Sequence, residues 1–498
     1  MGVRTYMLSS LLSLSAGSAF ADYTSGLRLF NAKNYTSSAP EFYSAFQNAK
    51  EKKSRLQAAL GLATSLQRLG FSYAATEYFA MLVESGHAAL FREGLEAYAA
   101  IDELTPLSRE TIARLFKQDV ELSGVGPAAR GFFFYYAGRE YFQRKLWRQA
   151  EELFKQVPPV SALFPKALFH LGIVSHLSGN ATMSERYFDK ALEVASTLRN
   201  SDWFREQVFL NLARLHYEKQ DFVRAVEFYA KIPRDSENWL TAVLESAWAF
   251  FLMEKPNNTL GNIHTLHSPF FEKRFFPESF ILQATSFLRL CRFDRVKTSV
   301  DEFDRRYGPV FNQLREVIGT AEKNPEFIYE IVRDYKMQKL EQYQEIGTVL
   351  DALSRTDLFK QGLATMEKLA DEEKRLVTAP SSWPRPFADK LRSLLEQKQS
   401  RLVQDLGRSL QEQGQFYLRY LNELGAQAKL ITAERLLGRI EALRQELQIH
   451  TTPKKENFIG GLQPLVLGQD LEYWPFEGEY WEDELGGYVY NIASKCRG

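Results

Sequence analysis

A pattern of small and aromatic residues recurs along the first two thirds of the chain. In its clearest copy, residues 134–157, one helix carries Gly138 and Tyr141 on a single face, and the next carries Ala150 and Phe154. These positions follow the i, i+3, i+4 and i+7 spacing of α-helices. The small residues let two helix backbones approach closely, and we expect the two aromatic rings to fill the space beside them. The pattern therefore predicts a helical hairpin.

This hairpin pattern can be laid down five times between residues 130 and 306. Each copy opens with a small residue and has a second marker residue twelve positions later. The opening residues are Gly138, Gly172, Ala213, Ala247 and Ala284, and the second markers are Ala150, Ser184, Ala225, Thr259 and Val296. Successive copies are 34, 41, 34 and 37 residues apart, an interval typical of stacked hairpins. Because one hairpin cannot cover its own apolar face, we expect the copies to stack as a solenoid.

These residues resemble the tetratricopeptide repeat (TPR) family, in which the eighth, twentieth and twenty-seventh positions are small and the eleventh and twenty-fourth are aromatic. Thr259 and Val296 depart from that pattern, so the last two copies are degenerate. A further copy precedes the five at Ala63, Gly70, Ala75 and Phe79, and a weaker one at Gly26, Leu29, Ser38, Phe42 and Ala45. One eroded unit fits between them and the five, near residues 94–117. The resemblance implies TPR-like repeats over residues 22–310 that bind proteins, without naming the partner.

The second half of the chain has a different composition. After Pro309 the pattern stops, and residues 311–378, rich in Glu, Lys, Gln and Leu, predict a helical extension. Three prolines in residues 379–386 predict a break. In residues 387–450, leucines spaced by threes, fours and sevens predict a long helical hairpin or a coiled coil, packed within the chain or as a homodimer on a second copy.

Four glycines interrupt that last helical segment, at positions 407, 414, 425 and 438. Each weakens a helix by up to about 1 kcal/mol, so we expect a bent bundle in preference to a long uninterrupted rod. The fold class predicted from the sequence is therefore all-α. It consists of a TPR-like α-solenoid, a long-helix bundle or coiled-coil arm, and an irregular aromatic C-terminal tail.

The tail, residues 451–498, has five aromatic residues between positions 473 and 481, interleaved with acidic ones. Aromatic rings at this density either pack back onto the repeats or form a docking surface for a partner. The docking residues would be Trp474, Phe476, Tyr480 and Trp481.

The chain has two cysteines, Cys291 and Cys496. In an oxidising compartment an even number of cysteines permits a disulfide. A bond between these two would attach the tail to the last repeat. The alternative is a pair of unrelated thiols, one at a repeat turn and one near the chain end.

The N-terminus is typical of a secretory signal peptide. Arg4 supplies the positive end, residues 6–14 the apolar stretch, and residues 19–21 the small-residue cleavage site, with cleavage expected after Ala21. The alternative is a buried first helix of the repeats. No other stretch has the roughly 18 apolar residues of a membrane span. We therefore expect an exported, periplasmic protein with no transmembrane span.

Charge and motifs argue against two other function classes. The 62 Lys and Arg residues equal the 62 Asp and Glu residues, whereas nucleic-acid binding usually shows a basic excess. Phosphate-binding loops, nucleophile elbows and zinc-helix motifs are missing from the sequence. His264 and His267 are three residues apart without a Cys, Asp or Glu close in sequence, so we expect them to pack. The sequence predicts no enzyme, no cofactor and no metal site.

Protein binding is the function that fits these observations. A groove lined by first helices would include Arg139, His170, Arg214 and Trp248. Residues 276–279, 290–294 and 474–486 are also similar to envelope TPR proteins of predatory and gliding deltaproteobacteria, some of the adventurous gliding motility type. That resemblance implies a periplasmic scaffold or adaptor with protein partners in an envelope motility or trafficking complex. The alternative is an oligomerising accessory subunit of a cell-wall or export enzyme complex.

Overall fold

The structure is a computed structural model and describes residues 18–104, 122–198, 201–451 and 478–496. Over these ranges the chain forms nineteen α-helices and no β-strand. The predicted signal peptide falls mostly on residues 1–17, and two of the predicted docking residues, Trp474 and Phe476, also lie outside the described residues. Among the helices of the described ranges, none combines the length and hydrophobicity needed to cross a membrane.

The helices divide into two compact units. The first unit comprises residues 1–201 and 357–406. Its repeat helices are α1 (Ser18–Asn31), α2 (Tyr35–Asn48), α3 (Lys52–Arg68), α4 (Ser72–Val83), α5 (Ala88–Leu104), α6 (Pro127–Gln143), α7 (Trp147–Lys155), α8 (Phe164–Leu177) and α9 (Ala181–Val194). From α1 to α5, and again from α6 to α9, each helix packs on the next.

The second unit comprises residues 202–356 and 407–498. Its helices are α10 (Ser201–Glu218), α11 (Phe222–Tyr229), α12 (Trp239–Leu252), α13 (Pro256–Leu266), α14 (Glu278–Arg289), α15 (Phe293–Ala321), α16 (Pro325–Lys336) and α17 (Gly347–Ser354). From α11 to α17 consecutive helices again pack together. The last two described helices are α18 (Asp357–Val377), in the first unit, and α19 (Arg385–Thr451). The division between the units falls within α19, after Leu406.

The helical hairpins close where the sequence pattern places its small residues. A β-carbon at Gly172 would lie 2.5 Å from Cε1 of Phe188, and one at Gly138 would lie 2.7 Å from Cε1 of Phe154. The opening glycine of each of these hairpins thus makes room for the aromatic ring of its second helix. All five second markers are fully buried: Ala150, Ser184, Ala225, Thr259 and Val296. The predicted all-α, TPR-like fold class is confirmed.

The turns of these hairpins share a backbone conformation that the sequence pattern does not show. In all seven hairpins with both helices described, the second residue after the first helix has a positive φ. These residues are Lys33, Gly70, Lys145, Gly179, Gln220, Glu254 and Cys291. The next residue donates its N–H five positions back, as Leu146 does to Tyr141 O. This is the Schellman ending of a helix, which usually has glycine at the left-handed position.

Three sequence expectations are corrected by the structure. The predicted boundary at 310 falls inside a helix, because α15 continues through Pro309 and buries Val310 and Leu314 beyond it. Residues 387–450 are not a hairpin but part of the single helix α19. Tyr141 does not fill the hairpin interior: it is 37% exposed, and Tyr135 packs against Phe154 instead, with ring centroids 6.0 Å apart.

The glycines of α19 do not break it into a bent bundle, because close packing against other helices occurs at some of these positions. In the second unit, a β-carbon at Gly407 would overlap the carbonyl oxygen of Pro325, and one at Gly414 would overlap Cδ1 of Ile318. These glycines therefore mark places where α19 lies close against other helices. The packing that they permit offsets their low helix propensity.

Candidate functional site

In the first unit, two predicted groove residues lie on neighbouring first helices. Arg139 is exposed on α6. His170 on α8 is half-buried beside the rings of Tyr135, Phe142 and Phe154, and its Nδ1 donates a hydrogen bond to Lys166 O at 2.8 Å. Burial lowers the pKa of His170 to about 4, so it is neutral at pH 7. Arg139 is available to a partner, whereas His170 mainly packs.

In the second unit, Arg214 belongs to a polar cluster on the first-helix face. Its guanidinium holds both carboxylate oxygens of Glu245 on α12, with Nη2 2.6 Å from Oε1 and Nε 2.9 Å from Oε2. Tyr229 on α11 donates its hydroxyl to Glu245 Oε2 at 3.0 Å. Burial, followed by the charge of Glu245, raises the pKa of Tyr229. This cluster links three helices, and sequence reasoning found only its arginine.

Trp248 was also predicted to line the groove, and the structure places it in a small core. It packs edge-on against Phe251, with ring centroids 5.7 Å apart, beside the buried side chains of Ala247, Ile263 and Leu282. Its indole N–H is enclosed and has no acceptor among the described residues. Trp248 therefore contributes mainly packing to α12.

The described part of the tail, residues 478–496, lies on α12–α14 of the same unit. Leu485 is 4% exposed and joins the core cluster of Trp239 and Leu266. Tyr480 stacks on His264, with ring centroids 4.5 Å apart and planes 18° apart. Trp481, the other described docking residue, remains 43% exposed. Much of this part of the tail therefore folds back, while one large ring stays at the surface.

Polar groups of the repeats hold the main chain of the tail. Thr265 Oγ1 accepts from Gly486 N at 2.9 Å. Asn257 accepts twice, from Tyr490 N to its carbonyl oxygen at 3.0 Å and from Ile492 N to its Oδ1 at 3.1 Å. Because these hydrogen bonds are made to the backbone of the tail, they fix its position and do not depend on the identity of its side chains.

The end of the tail is fixed at the turn between α14 and α15. Cys496 is bonded to Cys291, with the two Cα atoms 5.0 Å apart. Beside the bond, Lys495 N donates to Leu290 O at 2.9 Å, and Arg292 donates twice to Ala493 O, at 3.0 and 2.6 Å. The cysteine pair therefore sits within a set of main-chain contacts.

The two neighbouring histidines of this region pack, as their sequence context suggested. His264 lies against Tyr480, Tyr488 and Tyr490 of the tail. His267 stacks on Phe280 at 4.0 Å, and its Nε2 is 2.9 Å from Ser279 Oγ. Burial lowers the pKa of His264 to about 4 and that of His267 to about 3. Both rings are therefore neutral at pH 7. His264 is one of the α13 residues that contact the tail, and we call this set the seat of the tail: Asn257, Gly261, His264 and Thr265.

The described side chains of these surfaces make packing contacts, hydrogen bonds and ion pairs. Within the ranges that the structure describes, no group of three or more His, Cys, Asp or Glu side chains is placed to hold a metal ion. Sequence reasoning missed Asn257 and Gly261 in the seat of the tail, because both lie in a degenerate repeat. The glycine at 261, two residues after the departing marker Thr259, was the one available signal.

Comparison with known proteins finds similarity only to solved structures of low sequence identity. No protein-family model matches the chain, and no curated protein matches it. Among solved structures, the chain is similar to PilF of Pseudomonas aeruginosa, with 16% identity and a TM-score of 0.24 over 50% of this chain and 90% of that one.

Two further similar structures are a tetratricopeptide repeat protein and a yeast protein. The first, from Parabacteroides merdae, has 13% identity and a TM-score of 0.26 over 58% of this chain and 93% of that one. Yeast Tom70 has 14% identity and a TM-score of 0.25 over 86% of this chain and 99% of that one. At these scores, the fold assignment rests on the hairpins of the chain itself.

Proposed function

We propose that this protein is a non-enzymatic scaffold or adaptor that binds protein partners through the faces of its TPR-like repeats. The observation that carries the proposal is the way the second unit holds residues 478–496. A segment of the chain that includes a turn lies on the repeats: Asn257 and Thr265 accept hydrogen bonds from its backbone, and its apolar side chain Leu485 is buried. A repeat surface that holds its own chain in this way has the chemistry to hold another protein's segment.

The partner would bind on the first-helix faces that the tail leaves uncovered. Charged side chains occur there in both units, Arg139 in the first and the Arg214–Glu245 pair in the second. Side chains of this kind steer and orient a partner more than they add to affinity. We place the protein in the periplasm, from its N-terminal sequence, and in an envelope motility or trafficking complex, from its sequence resemblance.

Site-specific crosslinking in the native cells tests the binding face. A photoreactive residue at Arg139 should capture the same one or few envelope proteins in repeated experiments. The matched control is Lys190, which is exposed on the second helix α9, and it should capture none of them. Equal products from both positions would contradict binding through the first-helix face.

Export is tested separately. The mature protein should begin at Asp22 and should be digested by protease once the outer membrane, but not the inner membrane, is opened. Protection of an uncleaved chain by the inner membrane would contradict the periplasmic location and leave the binding-face result standing.

The alternative function, an oligomerising accessory subunit, is favoured by one observation. The last turns of α19 expose several large aliphatic side chains, Leu437 and Leu447 among them. Exposed apolar patches of this kind mark contact sites.

A further inference from the structure

The C-terminal part of α19, in the second unit, has an apolar face that no described residue covers. Four side chains form it, and we call them the α19 seam. Leu436 is 49% exposed, Ile440 46%, Leu443 42% and Leu447 68%. Their spacing of four, three and four residues is that of the contact positions of a coiled coil.

The start of α15, in the same unit, packs on the other side of this helix. A β-carbon at Gly438 would lie 2.7 Å from Cε1 of Phe293, so α19 lies close against the start of α15 there. Gly438 is two residues from both Leu436 and Ile440, and two residues turn a helix by about 200°. The α19 seam therefore points away from the unit. Leucines of the spacing pattern noted in the sequence, such as Leu402 and Leu421, are buried within the chain, which is one of the two packings expected for them.

We propose that the α19 seam binds the same seam of a second copy, with the two helices antiparallel. The spacing is the same when read in either direction. An antiparallel pair therefore sets Leu436 against Leu447 of the second copy, and Ile440 against Leu443. One surface thus serves both partners, which a two-fold dimer requires.

The charges beside the seam favour this direction. In a parallel pair, the flanking positions set Arg439 against Arg444 of the second copy, and two such contacts form by symmetry. The antiparallel pair places these arginines on opposite sides of the interface. Arg439 then faces the sequence position of Glu446 in the second copy, which has the opposite charge. The spacing permits the antiparallel orientation, and the charges favour it over the parallel one.

The expected dimer is weak and concentration-dependent. The seam spans only two heptads, but the helix is already formed and fixed to its unit, so association does not have to order it. We expect a dissociation constant in the roughly micromolar range. This self-association does not depend on the partner-binding face proposed above.

Sedimentation of the mature chain over a concentration series tests the proposal. The wild type should pass from monomer to dimer. Ile440→Arg should weaken the dimer at least about 100-fold, because it buries an unpaired charge. The matched control is Val377→Arg, on an aliphatic residue that is 79% exposed elsewhere, and it should dimerise like the wild type. Equal melting curves for the three proteins would show that folding is intact.

Cysteine crosslinking then tests the direction. In the antiparallel pair, the two copies of residue 436 are about 16 Å apart along the axis, beyond the reach of a disulfide. A mixture of Leu436→Cys and Leu447→Cys should therefore crosslink, and Leu436→Cys alone should not. A disulfide-linked dimer of Leu436→Cys alone would overturn the orientation.

Two further results would overturn the proposal itself. One is a monomer at all concentrations with residues 452–477 protected from protease in the wild type and cut in Ile440→Arg, which would mean that the chain's own segment covers the seam. The other is a dimer that Ile440→Arg leaves unchanged.

Discussion

Gly261 lies directly against the main chain of Tyr488. A β-carbon at Gly261 would overlap the carbonyl oxygen of Tyr488 and crowd the α-carbon of Val489. Because backbone atoms form this contact, a side-chain rotation cannot relieve the overlap. The middle of the tail can therefore reach α13 only because position 261 has no side chain.

The substitution Gly261→Ala should lift the middle of the tail from α13 while the bond between Cys291 and Cys496 still holds its end. The amides of Gly486 and Tyr490 should then exchange at least about tenfold faster with solvent deuterium, since their acceptors lie on α13. Hydrogen exchange read by mass spectrometry measures this.

Gly319→Ala is the matched control for that experiment. Gly319 is a helical glycine of α15 with no neighbouring heavy atom within 4 Å of its ideal β-carbon. Its replacement should stabilise the helix by up to about 1 kcal/mol and leave the tail amides unchanged. Unchanged exchange at Gly486 and Tyr490 in Gly261→Ala would show that the seat does not need the glycine.

The disulfide makes a second prediction. It closes a loop across 205 residues, and in the chain-entropy model such a loop lowers the entropy of the unfolded chain by the equivalent of about 5 kcal/mol. Cys496→Ser should therefore lower the unfolding midpoint in urea. Reductant should lower the midpoint of the wild type by a similar amount and leave Cys496→Ser unchanged.

The redox experiment has a direct chemical check. The unreduced wild type should have no thiol that reacts with a maleimide under denaturing conditions, because both cysteines are joined. If the wild type labels twice, or if reductant leaves its midpoint unchanged, the tail is not held by this bond.

The hairpin turns make a third prediction, on backbone strain. Gln220 is exposed and has a φ of 61°, a conformation that costs a residue with a side chain about 1–2 kcal/mol more than glycine. Gln220→Gly should therefore stabilise the second unit. The net gain is about 0.5–1 kcal/mol, since glycine also adds entropy to the unfolded chain.

Gly179 provides the reverse experiment in the first unit. Its φ is 79°, and its ideal β-carbon has no neighbour within 4 Å, so Gly179→Ala causes no steric clash and changes only the backbone strain and the entropy of the unfolded chain. We expect a loss of about 1 kcal/mol. Urea unfolding measures both variants, and changes of the same sign in the two would contradict a shared left-handed turn.

The repeats could be predicted because their signals are short-range. Gly172 and Phe188 lie sixteen residues apart, and the same pair of residue types recurs at that spacing at Gly138 and Phe154. Periodicity of this kind can be read without knowing the tertiary structure. The left-handed turns could not be predicted from the sequence, because five of the seven residues in that conformation are not glycine.

The errors arose where a residue acts on a distant part of the chain. Gly407 weakens an isolated helix, and only its approach to Pro325 shows why α19 continues through it. Gly261 is explained in the same way by Tyr488. The aromatic density of the tail predicted that its rings would be buried against another surface. Where the tail binds, however, depends on contacts between residues more than 200 positions apart. A single sequence holds no record of such pairs.

A buried carboxylate in the first unit makes the last prediction. Glu372 on α18 is 3% exposed and accepts from two amides at the start of α4, from Tyr73 N to Oε1 at 2.7 Å and from Ala74 N to Oε2 at 3.1 Å. Phe71, the N-cap residue of α4, has no side-chain acceptor to offer. Glu372, about 300 residues away in sequence, therefore accepts hydrogen bonds from two N–H groups at the start of α4 that have no partner within the helix.

The loss of a proton from Glu372 should make the first unit less stable as the pH rises. Burial raises its pKa from an ordinary 4.5 to about 7, against the lowering effect of the two amides. Between these pH values the folded chain holds more protons than the unfolded chain, so the contribution of this group is complete below pH 4.5 and is lost as the pH rises through 7. The full change is about 3 kcal/mol.

Glu372→Gln removes this titration. The free energy of unfolding of the variant, relative to the wild type, should therefore rise by about 3 kcal/mol between pH 4.5 and pH 7.5. Glu367→Gln, which changes an exposed carboxylate on the same helix, should keep a constant difference from the wild type. Urea unfolding at several pH values measures both, and parallel curves for wild type and Glu372→Gln would mean that the carboxylate keeps its charge when it caps α4.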